Sequence, residues 1–159
     1  MDTAGRRLGL QFEQSGNLVV CDAYKGLLAM SAAGEITVLT TGVNGAPFGC
    51  ADDVDIASDG KIYFTDASGK WNQGNYMLDL LETRPYGQFL VYDPSDKTTT
   101  SLIDEMYFSN GVAISEHEDF VLINETWRYR VLRYWLKGEK AGTHDVFIDN
   151  LPGCPDGIS

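Results

Sequence analysis

Three side chains with oxygen donors open equivalent stretches of this sequence. Asn110 stands in Ser109-Asn110-Gly111-Val112, Asp52 in Asp52-Asp53-Val54 and Asp156 in Asp156-Gly157-Ile158; Leu8-Gly9-Leu10 is a fourth version without an oxygen. Carboxylate and amide oxygens gathered at one buried point are costly unless something positive neutralises them. Calcium suits such a set best, because it takes about 6 to 8 oxygen ligands, accepts amide carbonyls and tolerates uneven geometry. Neither histidine nor cysteine occupies these slots, which argues against zinc or copper. The alternative is that the three side chains bond only to water and backbone at strand starts. Which of the two holds depends on whether the fold brings the slots together.

A repeat supplies that fold. The stretch 10–23 superimposes without a gap on 54–67, with Gly16 and Gly60, and Asp22 and Asp66, sharing one offset of 44 residues. A third copy, 112–126, fits after one extra residue in its turn, and a fourth begins at Asp156. Each copy consists of short runs rich in Val, Ile, Phe and Tyr broken by Gly, Asp and Ser, the pattern of strands and tight turns. In the first copy strands are expected at 8–13, 17–23, 26–31 and 35–40. The second copy continues with 88–93 and 98–103, the third with 131–136 and 144–148.

Four antiparallel strands per unit, recurring about every 45 to 60 residues, are the signature of a β-propeller blade. A β-sandwich also has many short strands, but it does not require one motif to open every group of four. The fold class expected is therefore all-β, a propeller with blades at about 8–42, 52–105 and 110–150 and a stub at 155–159. In a propeller the first strand of each blade lines the axis, so Asp52, Asn110 and Asp156 are expected to face inward at one height. A ring needs roughly 4 to 8 blades, and three would leave unpaired edges and apolar flanks. Missing blades, or a second chain, are needed to close it. The expectation is a piece of a longer protein, because the sequence starts and stops inside the repeat.

Composition narrows the partners. The 159 residues suffice for one domain with a sizeable core, and 43% hydrophobic residues fit a globular protein. With 23 acidic against 12 basic residues the net charge is -11, which argues against nucleic acid or an anionic membrane surface as partner. A small-molecule substrate is the partner expected from the family resemblance given below. No run approaches a transmembrane span, and the opening 1–7 leads into a strand pattern rather than the apolar core of a signal peptide. The three cysteines, Cys21, Cys50 and Cys154, lack C-x-x-C spacing, so one core thiol and two loop thiols are expected rather than a disulfide framework or zinc site.

One segment departs from the blade pattern. Between the second and third strands of the second copy lie residues 68–87, whose centre, Tyr76-Met77-Leu78-Asp79-Leu80-Leu81-Glu82, has helical apolar spacing between Gly74 and Pro85. It reads either as a lid over the site, with Trp71, Tyr76 and Met77 toward substrate, or as a helix packed on the blade. Asp53 is a candidate catalytic or supporting carboxylate, or a turn residue. Asp22, Asp66 and Glu125 share the slot at the end of the second strand and are expected to anchor blade turns. Trp127 and Trp135 read as packing residues. No G-x-S-x-G elbow occurs, and His117 in a turn and His144 on an outer strand are not placed for a Ser-His system.

These residues carry a resemblance. Arg7-Leu8-Gly9-Leu10, 22–27, 62–68, Ser109-Asn110-Gly111-Val112, Glu125-Thr126, Arg133-Tyr134-Trp135 and 151–156 resemble the shared region of strictosidine synthase-like proteins. Phe64-Thr65-Asp66 followed by Ser68-Gly69-Lys70-Trp71 is similar to the branch that contains adipocyte plasma membrane-associated protein. The resemblance implies a six-bladed propeller of which this chain supplies the middle portion. Through the wider superfamily of paraoxonases, gluconolactonases and diisopropylfluorophosphatase, it implies hydrolysis of lactones, aryl esters or phosphotriesters around an axial calcium. The slots of Asn110 and Asp156 are metal ligands there, and that of Asp52 is usually Asn. The implied glutamate ligand from an earlier blade lies outside the chain. Gly157 stands where Asn is common, and Leu8 where paraoxonases carry a histidine proposed as base. Strictosidine synthase itself condenses an amine with an aldehyde, using a glutamate whose place would lie beyond Ser159. Alternatives to a hydrolase are thus a condensing enzyme of that type and a propeller that binds a small molecule or partner without catalysis.

Overall fold

The alternating runs fold into short strands that turn back on themselves at each Gly- or Asp-rich break. In the computed structural model, which describes residues 4–159, the first sheet holds β1 (Arg7–Phe12), β2 (Leu18–Asp22), β3 (Gly26–Met30) and β4 (Ile36–Thr40). A short hairpin, β5 (Gly42–Val43) and β6 (Ala46–Pro47), leads to a second sheet of β7 (Ala51–Ile56), β8 (Ile62–Asp66), β9 (Gly87–Asp93) and β10 (Thr98–Met106). The third sheet contains β11 (Ser109–Ile114), β12 (Phe120–Glu125), β13 (Arg130–Trp135) and β14 (His144–Ile148). Within each four-stranded sheet every strand pairs antiparallel with the next in sequence. Three such meanders, with inner strands β1, β7 and β11 side by side, are three blades of a β-propeller. Residues 155–159 form no strand of their own, although Gly111 N donates to the carbonyl of Asp156 at 3.0 Å.

The first hairpin of each blade shows how the repeat survives a change of sequence. Gly16 and Gly60 take the left-handed conformation, with φ of 86° and 87°, and close their turns by bonds to Glu13 O and Ala57 O. In the third copy, with its extra residue, Glu118 takes that role at φ 54°. A side chain in this region costs about 1–2 kcal/mol. Ser58 of the neighbouring blade offsets the cost, donating its amide and hydroxyl to the Glu118 carboxylate at 2.5 and 2.8 Å.

The core lies between blades, as expected for sheets packed face to face around an axis. Val19, Cys21 and Leu27 meet Val54, Phe64 and Leu90 across the first boundary. Phe89 and Ile103 meet Val121, Ile123 and Leu132 across the second. The middle blade is covered on both sides, and β8 is buried along its whole length. Phe64 and Phe89 are fully buried, so truncating either to Ala would cost about 3–5 kcal/mol. The end blades expose apolar side chains instead: Leu10, Phe12 and Val38 on the first, Val146, Phe147 and Ile148 on the last.

The insert between β8 and β9 contains a helix, α1 (Tyr76–Glu82), matching the apolar spacing of its sequence. Seven residues are too few for an isolated helix to persist. Asn72 caps the preceding turn through Gly74 N, Thr83 ends the helix in the left-handed region, and Lys70 pairs with Glu82. Asp79, fully buried, accepts the indole N–H of Trp127 at 3.0 Å and so ties the helix to the third blade. Cys50, in the loop before β7, is fully buried like Cys21: Asp66 Oδ1 accepts its amide at 2.7 Å and draws the entry to β7 under the blade. All three cysteines are free, and Cys154 is exposed.

Candidate functional site

The start of each inner strand carries a β-bulge. Pairing steps from Arg7 to Leu10 against β2, from Ala51 to Val54 against β8, and from Ser109 to Val112 against β12. Two residues therefore face one partner: Leu8 and Gly9 lie opposite Cys21, Asp52 and Asp53 opposite Thr65, Asn110 and Gly111 opposite Asn124. A bulge re-aims a side chain out of the regular alternation. Here Asp52 and Asn110 line a cavity of about 480 Å³ together with Asp156 and Leu8. The four equivalent slots of the sequence thus meet at one place.

The acidic slot at the end of each second strand holds the chain entering the bulge. Asp22 Oδ1 accepts the amides of Arg6 and Tyr24. Asp66 accepts those of Cys50 and Gly49, and Glu125 accepts that of Tyr107 while pairing with Arg130. In all three blades one accepted amide, that of Arg6, Cys50 or Tyr107, lies just before the inner strand. These acids are anchors, each using its charge on backbone N–H groups that the sheet leaves unpaired.

Electrostatics at the cavity favours a cation. Burial, then the neighbouring Asp53, Asp156 and Asp66 carboxylates, pushes Asp52 up to about 7. Burial pushes Asp66 up to about 6 against its two backbone N–H donors. Among the described residues the side chains of Asp52, Asn110 and Asp156 have no hydrogen-bond partner in the protein, whereas Asp53 spends both oxygens on the amides of Val54 and Val112. Two carboxylates and an amide are the hard oxygen donors that calcium accepts, so the residues fit that ion. By themselves they make no metal centre: no group of three or more His, Cys, Asp or Glu side chains able to hold a metal occurs among the described residues.

The other wall is aromatic. Phe108 packs on Trp127 with ring centroids 4.8 Å apart and on Tyr76 at 6.3 Å, and all three line the cavity with Gln73 and Thr126. Of the side chains expected over the mouth, Tyr76 lines the cavity. Trp71 is turned to Glu82, donating its indole N–H at 2.8 Å, and Met77 is half exposed; neither is in the cavity wall. Asp53 lies behind Asp52 on the blade boundary. Sequence reasoning took Trp127 for packing and passed over Phe108. The signal available was position: Thr126-Trp127 follows the acidic slot, so it connects strands at the same end of the blade as the oxygen donors.

Bulged inner strands, anchoring acids and a cavity at the axial end define three blades of a β-propeller, and the solved propellers it is similar to are six-bladed. The chain belongs to the strictosidine synthase family, whose family model matches residues 52–139. It is 43% identical over 156 residues to strictosidine synthase-like protein 13 of Arabidopsis thaliana, covering 97% of this chain and 38% of that protein. It is 39% identical over 161 residues to adipocyte plasma membrane-associated protein of Mus musculus, covering 98% and 39%. The chain thus spans about two fifths of the length of these curated relatives. In fold it is similar to a gluconolactonase from Xanthomonas campestris, with TM-score 0.75 and 19% identity over 95% of this chain and 51% of that one. Regucalcin from Agrobacterium tumefaciens, a calcium-binding protein, follows with TM-score 0.71 and 17% identity over 95% and 48%.

Proposed function

We propose that this chain supplies part of a calcium-dependent hydrolase of lactones or aryl esters, with Asp52, Asn110 and Asp156 as its share of the calcium ligands. The observation that carries the reading is the meeting of these three side chains, free of protein hydrogen bonds, at one cavity. Calcium bound there would supply Lewis-acid polarisation of the substrate carbonyl and stabilise the developing negative charge. Asp52 holds a proton below about pH 7 and presents a carboxylate above it. Phe108, Trp127 and Tyr76 keep water from one side of the cavity and offer a surface to the apolar part of a substrate. Asp53 supports Asp52 through the backbone rather than touching substrate, since both its oxygens are engaged. The exposed apolar flanks are covered by further blades of the same ring, which bring the remaining donors.

A second reading, a propeller that binds a small molecule without catalysis, is favoured by Leu8, which places an aliphatic side chain in the fourth slot. Calcium titration and lactone and aryl-ester assays of the intact protein, with Asn110→Ala and Asp156→Ala beside it, separate the two. The hydrolase reading expects both variants to lose calcium affinity and activity together. Calcium affinity and ester turnover unchanged in both would refute it, and calcium binding without turnover would select the second reading.

A further inference from the structure

The single residue opposite each bulge does something that the pairing of its own blade does not require. Cys21, Thr65 and Asn124 are all buried. Each donates a side-chain hydrogen bond to a main-chain carbonyl outside its own blade, at the start of the next inner strand or, for Asn124, in the segment 155–159. Cys21 Sγ donates to Asp53 O at 3.4 Å, Thr65 Oγ1 to Asn110 O at 2.8 Å, and Asn124 Nδ2 to Asp156 O at 2.6 Å. In the last two cases the acceptor belongs to an oxygen-bearing slot residue itself. In the first it lies one residue further on, and a thiol is a weak donor. Thr65 also accepts the amide of Asp53 at 3.1 Å, so one hydroxyl links the bulge of the second blade to that of the third.

From this geometry we infer that Thr65 and Asn124 are positioning residues for the oxygen donors, each fixing from the preceding blade the backbone that aims one of them. The inference rests on the reading of Asp52, Asn110 and Asp156 as calcium ligands, and adds a second ring of donors behind the first. A carbonyl held in place fixes the peptide plane beside the slot residue, and with it the direction of the side chain. The dependence is strongest for Asp156. Asn110 sits within β11, whereas Asp156 belongs to no strand. It is held by Asn124, by Gly111 N at 3.0 Å, and through Pro155, whose carbonyl accepts the Thr126 hydroxyl at 2.8 Å.

The test uses the intact protein and the variants Thr65→Val, Thr65→Ser and Asn124→Ala. Calcium affinity is measured by calorimetry, and amide hydrogen exchange is followed at Asp53, which donates to Thr65, and at Gly111, which donates to Asp156. Loss of an outer partner of a metal ligand typically lowers affinity about 10- to 100-fold. That loss is expected for Thr65→Val and Asn124→Ala, with faster exchange at Asp53 and Gly111 respectively, while Thr65→Ser keeps the hydroxyl and both properties. A packing role predicts the reverse, Val tolerated and Ser harmful, and that pattern overturns the inference. Should the unaltered protein bind no calcium, the ligand reading fails by itself; unchanged exchange rates in Thr65→Val and Asn124→Ala would then overturn the positioning claim separately. If Thr65→Val does not fold, Thr65→Ser and Asn124→Ala decide it.

Discussion

Asp53 Oδ2 accepts the amide proton of Val112 at 3.0 Å, across the boundary between the second and third blades. Two residues further along the same strand, Asp55 Oδ2 accepts the amide of Ile114 at 2.8 Å. Inner strands of neighbouring blades share no sheet, so amides on the free edge of β11 need partners, and β7 supplies them as carboxylates. Hydrogen bonds to charged groups contribute about 1.5–3 kcal/mol each. Asp53→Ala is therefore expected to destabilise the protein by about 2–3 kcal/mol, measured by urea unfolding. Asp53→Asn keeps one acceptor for the two amides and sets its NH2 against the other, so it should lose part of that stability while keeping any hydrolytic rate. A folded Asp53→Asn protein with abolished turnover would instead make Asp53 a group that acts on substrate.

Asp66 makes stability depend on pH. Its folded pKa, about 6, lies above its ordinary value of 3.8, because burial disfavours the charge. Between these values the folded state binds more protons than the unfolded chain, so stability falls as pH rises through the window. The contribution is fully present below about pH 4 and lost by about pH 6 and above. A difference of this size corresponds to roughly 3 kcal/mol at most. Melting temperatures of the protein and of Asp66→Asn, compared from pH 4 to 7, should diverge with this sign. Parallel curves would contradict it.

Cation affinity should follow Asp52. Burial and the surrounding Asp53, Asp156 and Asp66 carboxylates raise its pKa to about 7, so below that pH a cation must displace a proton. Calcium affinity is expected to rise about tenfold per pH unit below 7 and to level off above it, with proton release detectable by calorimetry in buffers of different ionisation enthalpy. In Asp52→Asn the slope should flatten. A slope unchanged by that substitution would place the titrating ligand elsewhere.

The latch between the inserted helix and the cavity wall is Asp79 to Trp127. One carboxylate oxygen takes the indole N–H, and the other is buried without a hydrogen-bond partner among the described residues. Burial accordingly raises the carboxyl pKa. Asp79→Asn can keep the indole bond and removes the buried charge, so it should leave stability unchanged or slightly raised. Asp79→Ala should free the helix, seen as faster proteolysis within residues 68–87 and a shifted Trp emission. Equal protease resistance in Asp79→Ala would show that apolar packing alone holds the helix.

How much of this was legible in the sequence depends on the distance over which each feature is encoded. The shared offset of Gly16 and Gly60 and of Asp22 and Asp66 revealed the blade, because each blade is written locally and repeated. The helix at 76–82 was legible for the same reason. The bulges were not, since a bulge exists only relative to a partner strand, and Asp52 and Asp53 look like any two residues until both face Thr65. Of the aromatic wall, Tyr76 was legible through the inserted helix and lines the cavity, but Phe108 and Trp127 were hidden, since aromatic residues distant in the chain give no periodic signal. Trp71, expected with Tyr76 over the mouth, is drawn away by Glu82, a partner eleven positions along that helical spacing alone does not pair with it.

Gly111 gives a direct test of whether the axial site depends on the approach of Asp156. A Cβ built at Gly111 would lie 2.5 Å from Asp156 O, 2.7 Å from Ile158 N and 2.9 Å from Asn124 Nδ2. Two of these are backbone atoms, so a methyl group cannot be accommodated by a side-chain rotation; either the 156–158 segment moves or β11 does. Strand β11 is paired with β12 and packed against β7 and β8 of the second blade, whereas the segment is tied by three hydrogen bonds. The segment is the part that gives way. Gly111→Ala should therefore keep the circular dichroism and cooperative unfolding of the blades and lose about tenfold or more in calcium affinity. If calcium affinity holds while the segment is displaced, Asp156 is not a ligand, and the site reduces to Asp52, Asn110 and donors from other blades.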